Sequence, residues 1–277
     1  MFTHRTPRVA AARKLTARSA RSATGRFLVE GAQAVREAFA YAANSVHELF
    51  VTEQTASRHA DLLQQAEAAG TRVSTVTPRA AEMLSETKTP QGLVAVCDTV
   101  DVPIAEALSG RPRLVVVLFE VSDPGNAGTV VRVADAAGAD AVVFAGDAVD
   151  PHNGKCVRAS TGSLFHLPVA RARDAAEVFD ACRSAGLRVV AADGAAEHKL
   201  DDVAVEEALT GPTAWVFGNE AHGLPAELTR AADTAVAVPI HGAAESLNLA
   251  TAAAVCLYAT ARIQRITCRD DEPRRTS

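Results

Sequence analysis

Aromatic residues make up only 4% of this 277-residue chain, with one tryptophan and two tyrosines. A core short of rings must be built from Ala, Val and Leu. With 48% hydrophobic residues, that composition suits helices packed on a sheet better than an aromatic-rich sandwich. No apolar run approaches the roughly 20 residues of a membrane span, and the first residues lack the apolar segment of a secretory signal. A soluble, cytoplasmic protein without a membrane partner is the expectation. Cysteine is sparse as well: Cys97, Cys156, Cys182, Cys256 and Cys268 are odd in number, widely spaced and form no C-x-x-C pair. Reduced, mostly buried thiols and no metal site follow from that spacing.

Acidic residues are missing from one stretch. The chain carries a formal net charge of −5, yet no Asp or Glu occurs from Met1 to Phe27, where Arg5, Arg8, Arg13, Lys14, Arg18, Arg21 and Arg26 follow one another. Screening over about 8–10 Å makes local charge decisive for a phosphate. Residues 1–26 therefore read as a basic arm, with Arg13, Lys14, Arg18, Arg21 and Arg26 as candidate phosphate contacts. A solvated terminus or an amphipathic helix facing water is the plainer alternative.

Length permits one large or two ordinary domains, and the pattern divides over 102–112, a Pro- and Gly-containing linker. Ahead of it, over 27–101, short apolar runs at 27–30, 46–52, 72–76 and 92–97 read as strands, with helical periodicity at 32–43, 56–69 and 78–84. This is a small α/β domain. Over 113–268, continuous apolar runs at 114–120, 141–144, 187–192, 214–217 and 234–238 alternate with helical stretches, as in a parallel sheet covered on both faces. Residues 269–277 read as a tail.

Three polar loops in this second domain sit where a strand ends and a helix begins, the place where α/β sheets gather ligands. The first is Asp123-Pro124-Gly125-Asn126-Ala127-Gly128, with Arg132 just inside the next helix. It lacks the G-x-G-x-x-G spacing of a dinucleotide site, which disfavours a nicotinamide enzyme. On that helix Val130, Ala134 and Ala137 share a face, and Arg132 lies about 200° round from Val130, off the core side. The second loop, Gly218-Asn219-Glu220-Ala221-His222-Gly223, opens with a glycine that would let a ligand approach the backbone. Its plainer reading is a turn. The third runs from Val238-Pro239-Ile240 to Ser246-Leu247-Asn248; Ser246 suits an N-cap and Asn248 the first helical turn. Val238, Ile240 and Leu247 offer apolar walls for a flat purine. Lys155 and Arg158, in the segment 153–168, are further candidates for phosphate contact, a solvated helix face being the alternative.

Each loop alone is weakly specific, but together they resemble the three signature motifs of the SpoU or TrmH branch of the SPOUT methyltransferases. The phrase 27–38 is similar to the substrate-binding domain that often precedes such catalytic domains. The resemblance implies an α/β fold with a small N-terminal RNA-binding domain and a C-terminal SPOUT domain whose parallel sheet carries a deep trefoil knot, threaded by the segment from about 215 to 265. It implies a homodimer formed through the catalytic domain. It also implies S-adenosylmethionine as cofactor, held against Gly218, Val238, Ile240 and Leu247, and transfer of its methyl group to a ribose 2′-hydroxyl of structured RNA, with Arg132, Asn126, Glu220, Ser246 and Asn248 as catalytic residues. 23S ribosomal RNA is favoured as substrate; transfer RNA, or a non-catalytic RNA-binding or ribosome-assembly role, is the alternative. A free guanidinium gives up its proton only near pH 13, at a cost of roughly 8 kcal/mol at neutrality. The role of Arg132 thus stays open between base and clamp.

Overall fold

A computed structural model describes residues 1–270, with side-chain surroundings through 266; the Cys268 side chain and most of the expected tail lie outside what is described. The chain folds as two compact units, one comprising 1–100 with 150–166, the other 101–149 with the chain from 167 onward.

The first unit holds strands β1 (Arg26–Glu30), β2 (Val46–Val51), β3 (Arg72–Thr75) and β4 (Leu93–Asp98) in the order β1-β4-β2-β3. The β1/β4 and β4/β2 pairs are antiparallel and β2/β3 is parallel. The helical pattern over 56–69 is broken into Glu53–Arg58 and Ala60–Ala68, with His59 non-helical between them. Residues 1–26 differ from the expectation of a separate arm. They form helices Pro7–Lys14 and Arg18–Thr24, and Val9, Ala12 and Leu15 enter the same core as Leu28, Phe50, Val76 and Leu84. Residues 150–166, expected within the catalytic domain, also belong to this unit. Asp150 explains part of that placement, because it pairs with buried Arg21 at 2.8 Å.

The second unit is built on strands β5 (Asp101–Val102), β6 (Leu114–Phe119), β7 (Ala141–Ala145), β8 (Val169–Ala172), β9 (Arg188–Ala192), β10 (His198–Lys199), β11 (Thr213–Phe217) and β12 (Thr234–Ala237). They form one sheet in the order β10-β12-β9-β11-β6-β7-β8-β5, every pair parallel. Strands β6, β7 and β11 are buried along their whole length, which is why they read as unbroken apolar runs. Strands β5 and β10 have two residues each and β8 four, interrupted by Arg171, so they do not stand out in the sequence.

Alternate residues go to opposite faces. Val115, Val117, Val143 and Val216 pack with Val178, Phe179 and Cys182 in one core. On the next positions along β11, Trp215 and Phe217 stack with ring centroids 6.0 Å apart, and Trp215 Nε1 donates to Thr260 Oγ1 of the C-terminal helix Leu249–Asp270. The single indole thus finds a partner for its polar atom while fully buried. Because β6, β9, β11 and β12 run parallel, the loops that leave their C-terminal ends share one edge of the sheet. Among the described residues no helix is long and apolar enough to cross a membrane.

Candidate active site

The first loop is fixed by the start of its helix, Pro124–Ala137. Proline occupies the first turn, where its missing N–H costs nothing, and the Asp123 side chain accepts from the Asn126 amide at 2.8 Å. With its backbone capped, the Asn126 side chain points to chemistry elsewhere. Its Nδ2 donates to Glu220 Oε1 at 3.1 Å, and its Oδ1 accepts from Asn248 Nδ2 at 3.1 Å. These bonds join residues of all three sequence loops.

Glu220 is the hub. Its Oε1 also accepts from the Asp123 amide at 3.0 Å, and its Oε2 accepts from the Ser122 amide at 3.0 Å and the Ser122 hydroxyl at 3.1 Å. Partial burial alone would push the carboxyl up. The bonds from the Ser122 amide, Asn126 and the Asp123 amide outweigh it and hold Glu220 below the ordinary glutamate value. The result is a carboxylate whose lone pairs are spent on positioning two loops.

Gly218 serves the second loop differently from the sequence expectation. A Cβ there would come within 2.5 Å of Leu224 N and against the Gly223 carbonyl. It is the protein's own returning backbone that needs the space, in a loop closed by reciprocal bonds between Asn219 and Gly223 at 3.0 and 2.8 Å. Asn219 Nδ2 donates to the Glu120 carbonyl at 2.8 Å. Glu120, just past β6, has φ +50°, an uncommon conformation for a residue with a side chain. The Asn219 contact helps hold it there.

The third loop also departs from expectation. Asn248, not Ser246, caps the C-terminal helix: its Oδ1 accepts from the Ala250 amide at 2.9 Å and the Thr251 amide at 3.4 Å. Two acceptable capping residues lay two positions apart in sequence, and the helix takes the later one. Asn248 thereby uses its oxygen on the helix and its amide nitrogen on Asn126.

Beside this cluster lies a cavity of about 280 Å³ lined by Phe217, Gly218, Val238, Ile240, Ser246 and Leu247 together with Ala192, Asp193, Gly194, Asn219, Glu220, Gly223, Val236, Glu245, Leu249 and Ala252. All four expected cofactor contacts are in that lining, as are Glu220 and Ser246. Asp193 and Gly194 had escaped the sequence reading, although they follow β9 as the other loops follow their strands. The same strand-end logic would have found them. Apolar walls and a polar mouth, at about the lower end of small-molecule pocket volumes (~300 Å³), fit an adenosine-bearing cofactor. Arg132 is exposed, on the side of its helix away from buried Val130, Ala134 and Ala137, and it is not among the cavity residues.

The candidate RNA contacts all fall in the first unit. Arg13, Lys14, Arg18, Arg26 and Lys155 are exposed, Arg26 beside Asp98 at 3.3 Å. Arg158 is half-buried, 3.4 Å from Glu30. Arg21 is a correction. It is 3% exposed, and its guanidinium donates to Asp150 Oδ2 at 2.8 Å and to the carbonyls of Leu15 and Thr16 at 3.0 and 2.8 Å. A guanidinium so enclosed is committed to the fold and has no face for phosphate.

Residues 113–258 match the model of the SpoU rRNA methylase family, and residues 6–95 match that of the MRM3-like substrate-binding domain. The chain belongs to the SpoU rRNA methylase family. It is 35% identical over 246 residues, 89% of this chain and 92% of the relative, to the 23S rRNA (guanosine(2553)-2′-O)-methyltransferase RlmP of Bacillus subtilis. Among solved structures, the SpoU methyltransferase AviRb of Streptomyces viridochromogenes in complex with its cofactor AdoMet aligns with TM-score 0.80 and 31% identity, covering 95% of this chain and 99% of that one. An AdoMet-bound rRNA methyltransferase of Sinorhizobium meliloti aligns with TM-score 0.78 and 30% identity, covering 93% and 95%. The enzyme class expected from the three motifs, an S-adenosylmethionine-dependent RNA 2′-O-methyltransferase with a SPOUT-type α/β domain, stands.

Proposed function

We propose that this SpoU enzyme methylates a ribose 2′-hydroxyl in 23S ribosomal RNA, with the cofactor held in the cavity beside Glu220. The observation that carries the reading is the hydrogen-bonded set Asn126, Glu220 and Asn248 at the edge of that cavity, in a chain similar over nearly its full length to an enzyme named for 2′-O-methylation of 23S rRNA. Gly218, Val238, Ile240 and Leu247 bind the cofactor; S-adenosylmethionine supplies an electrophilic methyl group there. The attacking ribose oxygen needs in-line alignment and loss of its proton. Asn126 and Asn248, locked by Glu220, orient the substrate, Ser246 lines the mouth, and Arg132 holds or accepts at the reacting hydroxyl.

Because Arg132 lies outside the cavity lining, the complete site in this proposal is made by a homodimer, with Arg132 of one copy serving the cavity of the other. Support comes from the C-terminal helix. Its outer face leaves Val255, Tyr258 and Ile266 at 39, 53 and 51% exposure, a stripe at spacings of three residues and about two turns that a second copy would cover. The trefoil knot implied by the family belongs to the same proposal, as do cytoplasmic action and the domain division, with the first unit binding RNA through its exposed basic residues.

The test is transfer of labelled methyl groups to protein-free 23S rRNA, followed by mapping of the modified nucleotide. One 2′-O-methylated position in 23S rRNA is expected. Label confined to transfer RNA, or no transfer to any RNA by folded protein that binds the cofactor, would overturn the assignment. Mixing Arg132→Ala with Val238→Trp, each inactive alone, should restore transfer; heterodimers without recovery would contradict the shared site.

A further inference from the structure

The lining of the cofactor cavity contains three carboxylates, Asp193, Glu220 and Glu245, and no lysine, arginine or histidine. A cavity with only one sign of charge discriminates between ligands by charge. The two forms of the cofactor differ in just that property. S-adenosylmethionine carries a positive sulfonium, whereas the S-adenosylhomocysteine left after methyl transfer has a neutral thioether; their adenosine, ammonium and carboxylate groups are the same.

The three acids are not equivalent. Glu220 spends its oxygens on Ser122, Asp123 and Asn126, and Glu245 lies on an exposed part of the third loop. Asp193 stands directly at the end of β9, anchored by its backbone N–H donating to the Val236 carbonyl at 3.1 Å. Its Oδ1 accepts from the Ala195 amide at 2.9 Å. No hydrogen bond to Oδ2 is present among the described residues, and the residue is half-buried.

We propose that Asp193 makes the cavity charge-selective, favouring the sulfonium cation over the neutral thioether and so easing exchange of spent for fresh cofactor. This rests on the assignment of the cavity to the cofactor. The carboxylate is held rigidly by its strand end, so it opposes the sulfonium charge without reorganisation, and substitution by asparagine removes the charge while keeping the oxygen that caps Ala195.

Calorimetric titration of wild type and Asp193→Asn with S-adenosylmethionine, S-adenosylhomocysteine and the amine analogue sinefungin, which carries a positive charge in place of the methylsulfonium, tests this. The variant should bind both cationic ligands about fivefold more weakly, the scale of one half-exposed charge pair, and S-adenosylhomocysteine unchanged. Equal weakening of all three would overturn the proposal by assigning Asp193 to a shared part of the ligands; no change in any would overturn it too. Val238→Trp, confirmed folded by its melting curve, separates the underlying reading. It should lose all three ligands, and full binding in that variant would place the cofactor elsewhere and fail the cavity assignment itself.

Discussion

Two clusters built around a carboxylate, one in each unit, have opposite character. In the first unit Asp150 is buried and faces an equally buried Arg21, with the His152 amide donating to its other oxygen at 3.0 Å. In the second, Glu220 is exposed and accepts four hydrogen bonds, from Ser122, Asp123 and Asn126. The Asp150 cluster closes on itself and ties the 150–166 segment to the N-terminal helices. The Glu220 cluster leaves its outer side open beside a cavity. Satisfied polar groups out of water specify a fold; satisfied polar groups at an open edge hold a surface in position for something else to bind.

The sharpest break between the two should come from substitutions. Arg132→Ala is expected to keep fold and cofactor affinity yet lose methyl transfer by several orders of magnitude, since alignment and proton removal both fail; near-normal turnover would remove Arg132 from the site. Arg132→Lys, more easily deprotonated but without the planar fork, then separates base from clamp. Retained rate with a pH profile shifted downward supports the base.

Next in size is Arg21→Met, which strands Asp150 in a buried place. A loss of about 3–5 kcal/mol in unfolding free energy is expected for a broken buried pair, visible as a lower denaturant midpoint, with cofactor affinity in the surviving folded protein unchanged. Stability within about 1 kcal/mol of wild type would mean that the pair is not the tie described.

Acid separates the clusters by kind of effect. Desolvation raises Asp150, but the bonds from His152 and Arg21 pull it well below the ordinary aspartate range. Its contribution to stability is therefore present above the unfolded value near 3.9 and fades as pH falls through the lower folded one. Glu220 has the same sign: the loop cluster stays assembled down through mildly acidic pH and comes apart only below the usual glutamate range of about 4.3. Cofactor binding that disappeared between pH 7 and 5 would contradict the described hydrogen bonding of Glu220.

Smallest are the exposed basic residues. Replacing Arg13, Lys14 and Arg18 together by Gln should weaken RNA binding severalfold and lower its salt slope, each lost phosphate contact contributing about 0.7–0.9 to that slope, while leaving cofactor binding intact. An unchanged slope would show that these cations face only water.

Much of the second unit was legible because its strands are buried on both faces and its ligand loops punctuate them. Five apolar runs corresponded to β6, β7, β9, β11 and β12; Asn126, Glu220 and Asn248 from the three loops are joined by hydrogen bonds, and Gly218, Glu220, Val238, Ile240, Ser246 and Leu247 line one cavity, with Arg132 outside its lining. What stayed hidden was relational. Arg21 looks like its neighbours in a row of basic residues, and only the distant Asp150 distinguishes a buried pair from a phosphate contact. Gly218 carries no mark of whether a ligand or the Gly223 backbone needs its missing side chain. Ser246 and Asn248 both satisfy capping chemistry, and the choice between them depends on where the helix docks. The helix Pro7–Lys14 was obscured because its apolar residues form one short run, Val9 to Ala12, set between cations, so its burial becomes visible only against the core it joins. The thiols of Cys97, Cys156, Cys182 and Cys256 are buried and free, as their spacing implied. Burial pushes Cys156 and Cys256 up to about 12, which keeps them unreactive.

The central claim is that Glu220 organises the reaction rather than the fold. Single-turnover methyl transfer to 23S rRNA by Glu220→Ala, at saturating cofactor and at a temperature where its melting curve shows it fully folded, tests this most directly. A rate lower by about 100-fold, the scale of losing positioned groups at a reacting centre, with a melting temperature close to wild type is the predicted result. A near-normal rate, or a loss of rate that merely follows a collapse in stability, would contradict it.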